Sequence, residues 1–390
     1  MLTVFALTYT TVAIAKPQHP SAITSMILPA HKVDEILSVQ AQHPKTSYSH
    51  AGEQLIITYY SRGIHGEPVV SSAMVLLPKG KAPTQGWPIL AWAHGTTGVA
   101  DTCAPSADYI GGPVNSYQQV ADKALDDWLE RGYAIVAPDY QGLGTPGDHP
   151  YMNATSQLHT IVDAVRALHH LKAKQVSNNW LVMGHSQGGA AALAVAAYGQ
   201  KDAPELNLKG AIALAPGGYQ YQGIAEYVQQ NSQIDPQIAA FLPIVLLGAQ
   251  AADPNLDPEQ WVTPEMQNLL RQARKRCLSE LQTEIKQAPQ TIFKKDADLN
   301  PLLNYLKQQS IESMIPQVPL MLVQGDQDQL VDPRGISTYY QQICDAHKPV
   351  VYYSIANGDH RDAVRQSSVL SKDFLKQLNQ GKIVNSCIKH

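Results

Sequence analysis

The chain has 390 residues, 44% hydrophobic and 16% charged, a balance that excludes both a disordered segment and a polytopic membrane protein. A formal net charge of −4, with no Lys/Arg cluster interleaved with aromatic residues, leaves no electrostatic footprint for nucleic acid. The length suits one large α/β domain carrying an insertion, or two domains of ordinary size.

Residues 1–15 carry no charge, are mostly apolar or small, and close on Ala13-Ile14-Ala15 ahead of Lys16-Pro17. They read as a signal peptide, which predicts a secreted or periplasmic protein; an ordinary buried strand is the competing reading. The stretch is too short and too interrupted by threonine to span a bilayer, and no later run reaches eighteen apolar residues. No stable membrane insertion is expected, while contact with a lipid interface stays open.

Residues 54–61 and 69–77 are β-rich runs parted by Gly63, Gly66 and Pro68, the pattern of an antiparallel hairpin. Short apolar strands follow at 88–93, 133–137, 180–183, 211–214, 319–324 and 350–355. They alternate with amphipathic helical stretches such as 117–131 and 157–171. That alternation predicts an α/β fold with a mostly parallel central sheet and helices on both faces, its functional edge at the carboxyl ends of the strands.

Gly184-His185-Ser186-Gln187-Gly188 stands behind the apolar run Trp180-Leu181-Val182-Met183 and ahead of Gly189-Ala190-Ala191-Ala192. Strand, sharp turn and helix in that order make a nucleophile elbow, which holds a serine hydroxyl clear of the sheet edge. About a hundred residues then separate the strand near 214 from the one near 319, far more than a crossover helix needs. They predict an insertion over residues 218–315 dividing a core of 16–217 and 316–390. Thr263 can cap and Pro264 can open a helix whose apolar positions, Met266, Leu269, Leu270, Ala273, Cys277, Leu278, Leu281 and Ile285, recur at helical spacing. Because the insertion starts and ends beside the functional edge, it is expected to form a helical cap, or lid, over the strand ends.

A serine hydroxyl needs a base within hydrogen-bond reach and a third group to fix that base's tautomer. In folds of this type the chain order is serine, acid, histidine. After Ser186, the strand Met321-Leu322-Val323 runs into Gly325-Asp326-Gln327-Asp328, where Asp328 is the expected acid and Asp326 the alternative. The strand at 350–355 leads to Asn357-Gly358-Asp359-His360, which makes His360 the expected base; His347 precedes that strand and His390 is the last residue. The negative oxygen of a tetrahedral intermediate also needs donors. The backbone N–H of Gln187 and that of Thr96, in the loop His94-Gly95-Thr96-Thr97-Gly98 after strand 88–93, are the candidates.

Four cysteines, Cys103, Cys277, Cys344 and Cys387, fit an oxidising compartment and form no Cys-x-x-Cys pair. Two disulfides are the simplest account, and three pairings are open. There is no His-Glu-x-x-His and the histidines are scattered, so neither metal nor cofactor is expected.

The segments 94–106, His-Gly-Thr-Thr-Gly-Val-Ala-Asp-Thr-Cys-Ala-Pro-Ser, and 137–144, Ala-Pro-Asp-Tyr-Gln-Gly-Leu-Gly, together with the serine pentapeptide, resemble the secretory lipase family of α/β-hydrolases. The resemblance runs from about residue 30 onward. It implies cleavage of carboxylic esters, small-molecule or lipid, by a Ser-Asp-His triad, with a helical cap and export. It also implies pairing of Cys103 with Cys277 and of Cys344 with Cys387. A serine peptidase or amidase on the same fold, and a secreted module that only binds, are the alternative readings.

Overall fold

The computed structural model describes residues 33–42, 48–230, 235–285, 289 and 291–387; the expected signal peptide at 1–15 lies outside the described residues. Nine strands form one sheet: β1 (Ile36–Ala41), β2 (Ala51–Arg62), β3 (Pro68–Pro78), β4 (Trp87–Ala93), β5 (Ala134–Pro138), β6 (Val176–His185), β7 (Asn207–Leu214), β8 (Leu320–Gly325) and β9 (Val350–Ile355). Their spatial order is β1-β2-β3-β5-β4-β6-β7-β8-β9. The first three and the β3–β5 pair are antiparallel, and every pair from β5 to β9 is parallel. The mostly parallel sheet is the one expected from the alternating pattern, in the α/β-hydrolase arrangement that the resemblance implied.

Strand β4 shows why the parallel strands read as unbroken apolar runs. Successive side chains point to opposite faces, so Ile89, Ala91 and Ala93 join one buried cluster while Leu90 and Trp92 join another. Both faces are covered by helices, as parallel sheets require. Helix α1 (Asn115–Glu130) supplies Leu125, Trp128 and Leu129 to the second face, whereas α2 (Ala154–Leu171) supplies Ile161, Val165 and Leu168 to the first. Helix α3 (Gln187–Asp202) packs beside α2 with small residues at its start.

Between β7 and β8 run α4 (Gly223–Gln230), α5 (Pro236–Ala252), α6 (Pro258–Trp261), α7 (Pro264–Ala273), α8 (Leu278–Glu284) and α9 (Asn300–Gln308). After β8 come α10 (Pro333–Asp345), then β9, then α11 (Asp362–Arg365) and α12 (Ser367–Asn379).

Two local expectations are corrected. The single helix read from Pro264 to Ile285 is two helices, although Met266, Leu269, Leu270, Ala273, Leu278 and Leu281 are buried as their spacing suggested. Cys277 takes extended backbone, is disulfide-bonded to Cys103, and is followed by Leu278, whose N–H donates to the Thr97 carbonyl at 2.8 Å. These ties to the loop after β4 turn the chain out of the helix. Thr263 does precede α7, but its hydroxyl donates to the Thr291 carbonyl at 2.8 Å rather than capping the first turn. Strand β1 was not read from the sequence: it is a short, largely solvated edge that leaves Leu37 and Val39 exposed, so its few alternating residues bury no apolar face.

Candidate active site

Parallel register sets the site. Ala93 at the end of β4 pairs with Gly184 at the end of β6, so the loop at 94–98 and the turn at Ser186 emerge side by side. Gly325 pairs with Ile355 in the same way, and the loops after β8 and β9 lie next to one another.

Ser186 occupies the apex between β6 and α3 with φ 57° and ψ −114°, a region costly for any residue with a Cβ. Its backbone is over-determined. The Ser186 N–H donates to Leu214 O at 2.9 Å, and its carbonyl accepts from Gly217 at 3.0 Å and from Ala190 at 3.1 Å. The turn also needs close backbone approach: a Cβ on Gly184 would lie 2.0 Å from the Gly188 carbonyl oxygen, and one on Gly188 would lie 1.9 Å from that of Ala93.

Asp328 and His360 meet across the neighbouring loops, His360 Nδ1 donating to Asp328 Oδ2 at 2.7 Å. The carboxylate side chain is fully buried and the imidazole only 11% exposed. Asp328 Oδ2 also accepts from Gln324 Nε2 at 2.9 Å, while Oδ1 accepts from the N–H groups of Leu330 and Val331 at 2.8 and 2.9 Å. Burial by itself would raise this carboxyl, but the His360 hydrogen bond and charge, with the two backbone donors, hold it below the usual range. An ionised carboxylate only accepts, so Nδ1 carries the proton of this bond, and in the neutral form of the ring it is Nε2 that has the lone pair. Asp326, the alternative acid, is exposed.

The His360 loop is tied to the elbow through the residue before the serine. His185 Nε2 lies 3.0 Å from the His360 carbonyl oxygen, and the two imidazole rings are 4.5 Å apart. Gln187 opens α3, where the first N–H groups of a helix have no intrahelical acceptor. Its side-chain Nε2 donates to His149 Nε2 at 3.2 Å, since His149 Nδ1 donates to Gln141 O at 2.8 Å. Thr96 shares a 2.7 Å hydrogen bond with the Tyr151 hydroxyl. Burial lowers His149 to about 4 and, deeper under the loop, His94 to about 3, so both rings are neutral at physiological pH. Tyr117, Gln324, His149 and Tyr151 were not singled out from the sequence. Gln324 lies four residues before Asp328, and the other three are revealed only by contacts across the fold.

A cavity of about 290 Å³ reaches Ser186 and Gln187. Its walls come from Tyr151, Met152, Gly217 and Gly218, from Ile224 and Tyr227 of α4, from Ile238, Phe241 and Val245 of α5, and from Leu330 and Val331 beside Asp328. Both predicted disulfide pairs form, Cys103 with Cys277 and Cys344 with Cys387. Among the described residues there is no group of three or more His, Cys, Asp or Glu able to hold a metal ion, and no helix long and apolar enough to cross a membrane.

The sequence and the fold have counterparts. Lipase A of Moesziomyces aphidis is 23% identical over 343 residues, covering 83% of this chain and 72% of that protein. A Mycobacterium tuberculosis protein named as a probable inactive lipase is 23% identical over 352 residues, covering 84% and 73%. The crystal structure of Candida antarctica lipase A in its closed state superposes with a TM-score of 0.75 at 19% identity, over 91% of this chain and 84% of that one. The family model described as secretory lipase matches residues 113–378, well over half of the sequence and including the elbow, Asp328 and His360, and the chain therefore belongs to the secretory lipase family.

Proposed function

We propose that this protein is an exported serine ester hydrolase, a lipase or esterase, that works through an acyl-enzyme. His360 Nε2 takes the proton of the Ser186 hydroxyl as Oγ attacks the ester carbonyl carbon. Asp328 holds the imidazole in the tautomer that can do this and stabilises the imidazolium that results. The backbone N–H groups of Gln187 and Thr96 stabilise the oxygen anion of the tetrahedral intermediate. Collapse of the intermediate breaks the carbon–oxygen bond to the alcohol, which leaves with the proton from His360. Water, deprotonated by the same nitrogen, then attacks the acyl-serine; the acid departs and Oγ recovers its proton. The insertion at 218–315 acts as a cap, and the apolar walls from α4 and α5 receive the acyl chain. Family membership and two disulfides support an extracellular setting.

The observation that carries this reading is the buried 2.7 Å Asp328–His360 pair, docked through His185 onto a serine in strained backbone at a helix start. The direct test is Ser186→Ala. It should fold as the parent does, lose labelling by a fluorophosphonate probe, and lose hydrolysis of p-nitrophenyl butyrate by at least about a thousandfold. Retained turnover in that variant would refute the assignment. Hydrolysis of aminoacyl anilides in preference to nitrophenyl esters would move the protein to the peptidases. An inert Ser186 in the parent would make it a binding module, the direction in which the name of the Mycobacterium relative points.

A further inference from the structure

Behind the elbow lies a hydrogen-bonded path that joins the two halves of the site. The Gly95 N–H donates to the Tyr117 hydroxyl at 2.5 Å, and that hydroxyl is 3.3 Å from His185 Nδ1. On the far side of the same ring, His185 Nε2 faces the His360 carbonyl at 3.0 Å. A carbonyl only accepts, so Nε2 carries the ring proton, Nδ1 accepts, and Tyr117 is the donor to it. Burial, and after it the neighbouring His360, keeps His185 far below the usual imidazole range, so it stays the neutral ring this assignment needs. Every polar group on the path has its partner and only one proton arrangement satisfies all of them.

Each end matters. Gly95 is bonded to Thr96, the proposed second anion donor, and His360 is the proposed base. A Cβ at position 95 would meet the Tyr117 hydroxyl at 2.8 Å and His185 Nδ1 at 3.2 Å, so loop, tyrosine and histidine are in contact with no room to spare. Tyr117 comes from the first turns of α1, from outside the serine motif and both triad loops.

We infer that Tyr117 and His185 are positioning residues for the hydrolysis proposed above, a relay that sets the backbone of His360 together with the His94–Gly95 peptide, which leads directly into Thr96. Neither touches the substrate. Their effect is to keep base and anion donor in register with Ser186, where a small misplacement is costly in rate.

The inference rests on the hydrolase reading and is tested on the full chain with p-nitrophenyl butyrate. Tyr117→Phe and His185→Leu should each lower kcat roughly tenfold to a hundredfold, short of the roughly hundredfold to thousandfold loss that follows removal of an anion donor itself. KM should stay within about twofold, because ground-state binding is untouched. The double variant should lose no more than the worse single one, as two members of one path do. His185→Gln, whose side-chain amide can still donate to the His360 carbonyl, should recover most of the loss. Tyr117→Phe differs from the parent by one oxygen and its melting temperature reports folding independently. Should folded Tyr117→Phe keep kcat within about threefold, should the two losses multiply, or should the change fall on KM alone, the relay is wrong. An inactive parent with an unlabelled Ser186 would instead bring down the hydrolase reading and the relay with it.

Discussion

Asp328 and Asp139 are both buried aspartates, yet their carboxyls shift in opposite directions. Asp328 receives four hydrogen bonds, one from an imidazole that can carry charge, and is held below the usual range despite its burial. Asp139, in the segment after β5, receives the Ser72 hydroxyl at 2.6 Å and the Ser106 N–H at 3.0 Å, with no cation beside it. Burial outweighs those bonds and pushes it up to about 6. Its linkage to stability follows from the sign. Between the unfolded value near 3.8 and the folded value near 6 the folded chain binds more protons, so stability falls as pH rises through that window and levels off above it. Asp139→Asn removes the titration while its amide can still accept from Ser106 and donate to Ser72. The variant's melting temperature relative to the parent should therefore climb from pH 4 to about pH 6 and stay level beyond. A gap unchanged across that range, in parallel thermal melts, would contradict the assignment.

Strand, turn and helix around Ser186 form one unit whose geometry is set by missing side chains. Helix α3 starts against the end of β4 because position 188 has no Cβ; the nearest atoms are the Ala93 and His94 carbonyls, which are backbone and cannot swing aside. Gly188→Ala should force α3 away from β4 and carry the Gln187 N–H away from the loop at 94–98. Overpacking of this kind costs about 1–3 kcal/mol or more, and turnover should fall further than stability. Gly80 offers the contrast, with φ +92° but nothing within 4 Å of its would-be Cβ. Gly80→Asn should melt within a few degrees of the parent and keep its activity, since asparagine tolerates positive φ. Equal effects of the two substitutions on kcat would show that close approach at the elbow does not matter. The unit was legible in the sequence because its signature is local, with small residues at the turn, an apolar strand before it and alanines after it, even though some of what constrains it lies in β4 and after β7. The break between α7 and α8 was not, since the apolar spacing runs straight through it and the cause lies in the loop after β4.

Over the whole molecule the two disulfides close very different spans, 174 and 43 residues apart, yet in the chain-entropy model each stabilises by a similar ~4–5 kcal/mol. Their consequences for function should differ. Cys103–Cys277 ties the start of α8 to the loop that carries Thr96, reinforced by the Leu278 to Thr97 hydrogen bond. Cys344–Cys387 ties the end of α10 to the segment beyond α12, whose Ser386 N–H donates to the Val350 carbonyl at the start of β9, the end of that strand opposite the His360 loop. Cys103→Ser with Cys277→Ser should lose most of kcat at a temperature where the chain is still folded. Cys344→Ser with Cys387→Ser should lower the melting temperature and leave kcat nearly intact. Equal kcat losses in the two double variants would remove the link between α8 and the anion-binding loop. The sequence by itself determined the strands and helices of the βαβ alternation and the strand-to-helix turn that presents Ser186, because each is a pattern local to one strand, turn or helix, and it made Asp328 and His360 the expected partners of that serine because each follows a short apolar strand. Only the tertiary structure brought Asp328, the acid expected from the sequence, to His360 while leaving Asp326 exposed, broke the long helix at Cys277, and placed Tyr117 and His185 behind the elbow. Those contacts join residues 32 to 175 positions apart, a range over which neither propensity nor periodicity leaves a trace in the chain.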